Sequence, residues 1–289
     1  MEMALQFLCK RYPLLFALES SGGDDNHPVF VNRVLGTRTP VGLDSPLHPL
    51  EVLFANVPED FAVLLRSGGE DDGDGDGDGD GGGEPGSYCL RAAAVCSSVG
   101  WCIGQHRDQP LRDIHAAVTD YAARLAGSMD RYFARLPTDQ PIQRGAWTLE
   151  AAEELFALRR AGADAADANT DTDTADVRLR CDWQTLRRLP LTGAVVFNYK
   201  AVFTPLAALR TEPYVPALLH RVLQDGNPRL VVPGKCLPHV RAAALPALAA
   251  WAAEQVQRGV VPANWAVRTL DEAPFYPGWA AAWHAAQGF

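Results

Sequence analysis

No two of the six cysteines (Cys9, Cys89, Cys96, Cys102, Cys181, Cys236) stand in a CxxC pair. That removes the zinc-ribbon, iron–sulfur and c-type haem-attachment patterns. Scattered singly through 289 residues, they read as free thiols of a reducing compartment, the cytoplasm. No apolar run of about 18 residues occurs, so no membrane-spanning helix is predicted. The opening MEMALQFLCKRYPLLFAL is apolar but is broken by Lys10, Arg11 and Pro13. It also lacks a small-residue cleavage site and is not read as a secretory leader. Positive charge is scarce: 26 Lys and Arg face 35 Asp and Glu, for a net charge of −9. Eight acidic residues between Glu70 and Glu84 supply −8 of it, leaving −1 for everything else. With no basic stripe to follow a phosphate backbone, nucleic acid is not a predicted partner.

What is present fits an ordinary globular protein, with 47% hydrophobic and 21% charged residues. The length suffices for one large domain or two small ones, each with a core. No internal repeat divides the chain, and it is read as a single domain over 1–289. Two low-complexity stretches interrupt it. SGGEDDGDGDGDGDGGGEPGS, 67–87, cannot pack a core and is predicted to be a disordered acidic loop. GADAADANTDTDTA, 162–175, is predicted to be a polar surface insertion. Starting at Asp74, the first stretch places Asp74, Asp76, Asp78 and Gly79 in EF-hand order. It has Pro85 at position twelve, where the bidentate glutamate belongs, so calcium is not expected. The only GxGxxG match lies in the same tract, neither after a strand nor before a helix, and is not a dinucleotide site.

Helices are predicted over 49–55, 59–66, 113–136, 150–160, 204–210, 214–223 and 238–258, the last stopped by Gly259. Strands are predicted over 88–97 and 101–104. A further pair lies in VRLRCDWQTLRRLPLTGAVVFNYK, from Val177 to Lys200. Strand alternation puts Val177, Leu179, Cys181 and Trp183 on one face and Arg178, Arg180, Asp182 and Gln184 on the other. A half-exposed strand at a sheet edge gives the same pattern. The following run Gly193–Phe197 is continuously apolar, as in buried strands. Arginines beside a buried strand suggest a pocket that receives an anion. Strands in the middle with helices on either side define an α+β class.

Several elements in order resemble the haem-dependent oxidative N-demethylase-like family, most of all its fungal branch. They are ALQFLCKRYPLLF near the start, Tyr88 to Trp101, Ile114-His115-Ala116, Arg144-x-x-Trp147, Asp182 to Phe197 with Gln184-Thr185-Leu186-Arg187-Arg188-Leu189-Pro190, Leu270-Asp271-Glu272, and Pro274 to Trp279. The resemblance implies a PAS-like antiparallel sheet with helices around it. It further implies haem b as cofactor and O2-dependent oxidation of a small, amine-type substrate, with electrons from a separate NAD(P)H-dependent reductase. The sequence also departs from the family pattern. The usual segment upstream of Glu2 has no counterpart. Ala117-Val118-Thr119 stands where Pro-Val-Pro is common, His106 replaces a lysine, Ala146 replaces an asparagine, and Asp182 replaces a glutamate.

The resemblance points to His115 as the axial iron ligand, with Leu111, Ile114 and Val118 as apolar neighbours and His106 as the second choice. Arg180, Arg187 and Arg144 are the propionate partners it suggests, because a guanidinium meets a carboxylate bidentately. Arg178, Arg188 and Lys200 rank lower. Asp182 is placed to neutralise Arg180, to hold a substrate ammonium or to relay a proton. Trp101, Trp147 and Trp183 would line the ring slot. Each has a plainer alternative: a capping histidine, surface arginines, an Arg–Asp structural pair and core tryptophans. Two other functions stay open beside the enzyme: a non-catalytic haem or small-ligand sensor, and a scaffold without haem.

Overall fold

The computed structural model describes residues 1–20, 27–67, 87–159, 172–231, 234–268, 281 and 285. The two low-complexity stretches fall largely outside them, and the 270–279 motifs fall wholly outside. The chain divides into two compact units, one of 1–144 and 183–201, the other of 145–182 and 202–289.

The first unit begins with α1 (Glu2–Arg11) and a three-stranded antiparallel meander, β1 (Phe16–Ser20), β2 (Pro28–Asn32) and β3 (Thr37–Pro40). Leu5, Phe30 and Val52 form its core, with Val52 supplied by α2 (Pro49–Asn56). The start of α2 is fixed by chemistry that its sequence carries. Pro49 sits at the first turn, His48 Nδ1 accepts from Leu50 N at 3.2 Å, and Glu51 accepts from His48 N at 2.9 Å.

A second, five-stranded sheet is built from β4 (Asp60–Arg66), β5 (Tyr88–Ala94), β6 (Ile142–Glu150), β7 (Arg178–Arg188) and β8 (Val195–Pro205), in the order β5-β4-β8-β7-β6. β4 is antiparallel to both β5 and β8. Within the first unit, α3 (Leu111–Ile114), α4 (Tyr121–Arg124) and α5 (Ala126–Arg135) follow β5. Leu111 and Phe133 join Ala62, Leu64, Leu90, Leu186 and Val195 in one buried cluster, so α3 and α5 cover one face of the sheet here. The second unit has its own core, in which Leu149, Val177 and Leu206 meet α6 (Val215–Asp225), α7 (Pro228–Val231) and α8 (Pro238–Gln257).

Helices with antiparallel sheets give the expected α+β class. The helices over 49–55, 214–223 and 238–258 and the strand from Tyr88 are where the sequence puts them, and Gly259 closes α8 at φ +70°. Other elements differ. Residues 59–66 are strand β4, because FAVLL is a buried apolar run that fits a central strand as well as a helix. Residues 101–104 contain no strand; a 3-10 turn, Ile103–His106, follows the left-handed Gly100. The period over 113–136 breaks into α3, α4 and α5, with left-handed Asp120 (φ 59°) between the first two. Residues 151–159 form no helix: Glu150 is the buried end of β6, and pairing within the sheet overrides the local propensity. Residues 204–210 are the end of β8 and a 3-10 turn, Leu206–Thr211.

The central strand carries the largest correction. β7 lies between β8 and β6, so it is not an edge. Its polar face is the better buried one: Arg180 is 5% and Gln184 9% exposed, whereas Trp183 is 47% exposed.

Candidate functional site

His115 caps the C-terminus of α3, a single turn that begins at Pro110. Its Nδ1 lies 2.8 Å from the Leu111 carbonyl, which only accepts, so Nδ1 carries the proton. The lone pair is thereby left on Nε2. The ring stacks on Tyr121, with centroids 4.9 Å apart and planes 11° from parallel. Tyr121 is buried and donates its hydroxyl to the Met129 sulfur at 3.3 Å. Burial lowers the proton affinity of His115 below its ordinary 6.5, the bond to Leu111 opposes this, and the charges of Arg144 and His106 lower it further. A neutral imidazole with Nδ1–H tied to a backbone carbonyl is the form that offers Nε2 to a metal. The side chain is half-buried, and its chemistry fits an axial ligand of haem iron. Both the capping arrangement and the ligating tautomer are therefore present in one residue.

Arg144 and Arg187 belong to the same unit. Both are exposed, and among the described residues neither has a hydrogen-bond or ion-pair partner. Arg144 is the one whose charge His115 feels. Trp101 is 37% exposed. His106 is committed to Gln109 at 2.9 Å. Arg188 is half-buried and structural: it bonds the carbonyls of Phe133, Leu136 and Gly193 and the Tyr88 hydroxyl.

The remaining candidates belong to the second unit. Arg180 Nε donates to Asp182 at 3.0 Å, and the guanidinium lies 5.7 Å from the centre of the Phe203 ring. Trp147 packs against the unit's core, with Lys235 Nζ 5.1 Å from its ring centre and bonded to its carbonyl at 3.1 Å. Arg178 pairs with Glu153. The plain Arg–Asp pair is thus formed, and the first-ranked arginine has its carboxylate within the chain.

All six thiols are free. Burial raises the affinity of Cys9 and Cys181 for their protons, and burial together with Asp60 pushes Cys96 to about 11. Among the described residues, no group of three or more His, Cys, Asp or Glu side chains could hold a bare metal ion. None of their helices is long and apolar enough to cross a membrane. Sequence reasoning missed Tyr121 and Asp60. Neither carries a local signal, because Tyr121 meets His115 through the turn at Asp120, and Asp60 acts on a loop 36 residues away.

Over residues 1–245 the sequence matches the family described as haem-dependent oxidative N-demethylase, alpha subunit-like. The chain belongs to that family.

Proposed function

We propose that this chain is a haem-dependent, O2-using oxidoreductase that oxidises a small amine-type substrate. His115 carries the reading: a neutral ring oriented by Leu111 and Tyr121, with the Nε2 lone pair left over, on a chain of this family. The cofactor is haem b, ligated by His115, in a PAS-like arrangement of sheet and covering helices. Arg144 is the propionate partner favoured in the same unit, since among the described residues its guanidinium has no hydrogen-bond or ion-pair partner and its charge reaches His115. Trp101 lines the ring, and Arg187 serves a second carboxylate. Arg180 and Asp182 contribute by fixing β7, and Trp147 by fixing β6.

The group supplies, when bound, a redox-active iron that activates O2. The residues of the chain do the rest: Leu111 and Tyr121 hold the His115 ring, and its depressed proton affinity keeps Nε2 unprotonated at neutral pH. For an N-methylated amine the overall balance takes the amine, O2, two electrons and two protons to the amine lacking that methyl group, formaldehyde and water. The electrons come from a separate NAD(P)H-dependent reductase, and the setting is cytoplasmic.

Turnover tests this reading. Haem-loaded protein with a reductase, NADPH and dimethylamine or trimethylamine should consume O2 and release formaldehyde in equal amounts. O2 consumption that does not depend on the amine, or none at all with a range of small amines, contradicts it.

A further inference from the structure

The turn that follows α1 and the turn between β2 and β3 lie side by side. Both carry large apolar side chains where turns ordinarily carry Gly, Pro, Asn, Asp or Ser. The first reads Tyr12-Pro13-Leu14-Leu15 and the second Arg33-Val34-Leu35-Gly36. Leu14 is 86% exposed, Val34 62%, Leu35 57%, and Tyr12 and Leu15 43% each. At that level Leu14 is almost as accessible as in an extended chain, so its neighbours do not shelter it. Clustered exposed aliphatic groups of this kind mark a contact surface.

The fold holds these side chains out rigidly. Arg33 N donates to the Leu15 carbonyl at 2.9 Å and its Nη1 to the Pro13 carbonyl at 3.2 Å, which ties the two turns together. Asn32, 2% exposed, accepts from Val34 N and Leu35 N, both at 3.1 Å, and donates to Asn56 of α2 at 3.2 Å. Gly36 closes the second turn at φ +68°. Tips fixed in this way lose little conformational entropy when they dock.

The charge around the tips is mainly of one sign. Lys10 and Arg11 end α1, and Arg33 and Arg38 flank the second turn. Glu19 pairs with Arg38 at 2.7 Å and with Arg33 at 3.9 Å, while Lys10 has no ion-pair partner among the described residues. Four cations around one carboxylate leave a local +3 on a chain whose net charge is −9.

We propose that the paired turns Tyr12–Leu15 and Arg33–Gly36 dock on the surface of a bilayer that contains anionic phospholipid. Leu14, Leu15, Val34 and Leu35 enter the boundary between headgroups and acyl chains, and Tyr12 sits at that level with its hydroxyl toward water. Lys10, Arg11 and Arg33 meet the phosphates. Charge selects this occupant, since a second copy docked through the same patch would set +3 against +3. Shape agrees, because a fluid surface receives protruding tips without a groove cut to fit them. Such contact needs neither a spanning helix nor haem, and it goes beyond the oxidation reading without resting on it.

Co-sedimentation of the full chain with vesicles of phosphatidylcholine, alone or with about 30% phosphatidylserine, tests it. Binding should be at least tenfold tighter to the anionic vesicles and should weaken as salt is raised. Soluble glycerophosphoserine should not compete, because it has no acyl boundary to receive the leucines. Leu14→Glu with Val34→Glu should lower binding at least tenfold. Lys10→Glu with Arg11→Glu should do the same, at about fivefold or more for each cation lost. All four positions are exposed, so the far-UV circular dichroism of both variants should match wild type. No binding to anionic vesicles, equal binding to phosphatidylcholine alone, competition by glycerophosphoserine, or indifference to either pair of substitutions overturns the proposal. A dimer in light scattering that Leu14→Glu with Val34→Glu breaks assigns the tips to a second copy and overturns it as well.

Discussion

Replacing Arg188 by alanine should destabilise the first unit more than any change at its neighbours on β7. The guanidinium donates Nε to the Leu136 carbonyl at 2.6 Å, Nη1 to the Tyr88 hydroxyl at 2.6 Å and to the Gly193 carbonyl at 2.9 Å, and Nη2 to the Phe133 carbonyl. It also lies 5.5 Å from the centre of the Tyr88 ring. Phe133 and Leu136 are at the C-terminus of α5, where the last carbonyls have no partner within the helix and the dipole favours a cation. Removing the side chain strands three carbonyls and a tyrosine hydroxyl in a half-buried place, where water replaces only part of what is lost. Loss of a charged, multiply bonded partner of this kind costs about 3–5 kcal/mol. At some 2–4 °C per kcal/mol for a protein of this size, the midpoint should fall on the order of 10 °C. Arg188→Lys should recover less than half, because one ammonium cannot reach acceptors on α5, β5 and the β7–β8 turn together. Thermal unfolding followed by circular dichroism reads both. A fall of less than about 2 °C for Arg188→Ala would show that these bonds do not hold α5 to the sheet.

Three further outcomes follow from other parts of the chain. Asp60→Asn should bring the Cys96 thiol down from about 11, since part of its rise comes from Asp60, and thiol labelling at pH 8.5 should speed up; an unchanged rate contradicts the placement. His115 binds its proton less tightly folded than unfolded, where the value is 6.5. The unfolded state therefore takes up more protons on the acid side, so stability should be level above about pH 6.5 and decline as pH falls through that value. His115→Gln should flatten this part of a stability–pH profile, and a profile identical to wild type counts against it. Gln255, 4% exposed, bonds the carbonyls of Arg210 and Glu212 at 2.9 and 2.8 Å and accepts from Tyr214 N at 3.1 Å. Gln255→Leu should cost the second unit about 2–4 kcal/mol in urea unfolding, and a loss below about 0.5 kcal/mol, the range of an ordinary surface change, would refute that.

Elements with a strong local signature were legible in the sequence. Gly259 ends α8, and His48-Pro49-x-Glu51 begins α2. Leu189-Pro190 followed by Gly193 marks the hairpin between β7 and β8. Elements decided by their neighbours were not legible. FAVLL becomes strand β4 only because β5 and β8 lie on either side of it. The good helix formers after Glu150 do not form a helix, and the β1–β3 meander had no alternation clear enough to see. At the site, the Ile114-His115 motif was visible, but the tautomer of His115 depends on Leu111 and Tyr121. The arginines show the limit most clearly. Alternation placed Arg180 on the polar face with Gln184, but it could not tell that this face is buried. Nor could it show that Asp182 engages Arg180, or that α5 and β5 engage Arg188.

The most direct test of the central claim is the absorption spectrum of the purified full chain titrated with haem, oxidised, reduced and with carbon monoxide. Wild type should develop a sharp Soret band at one haem per chain that shifts on reduction and again with carbon monoxide. His115→Ala, checked for folding by circular dichroism, should lose or markedly alter that band. A wild-type chain that takes up no haem, or a folded His115→Ala variant with the wild-type spectrum, contradicts the assignment of His115 as the iron ligand.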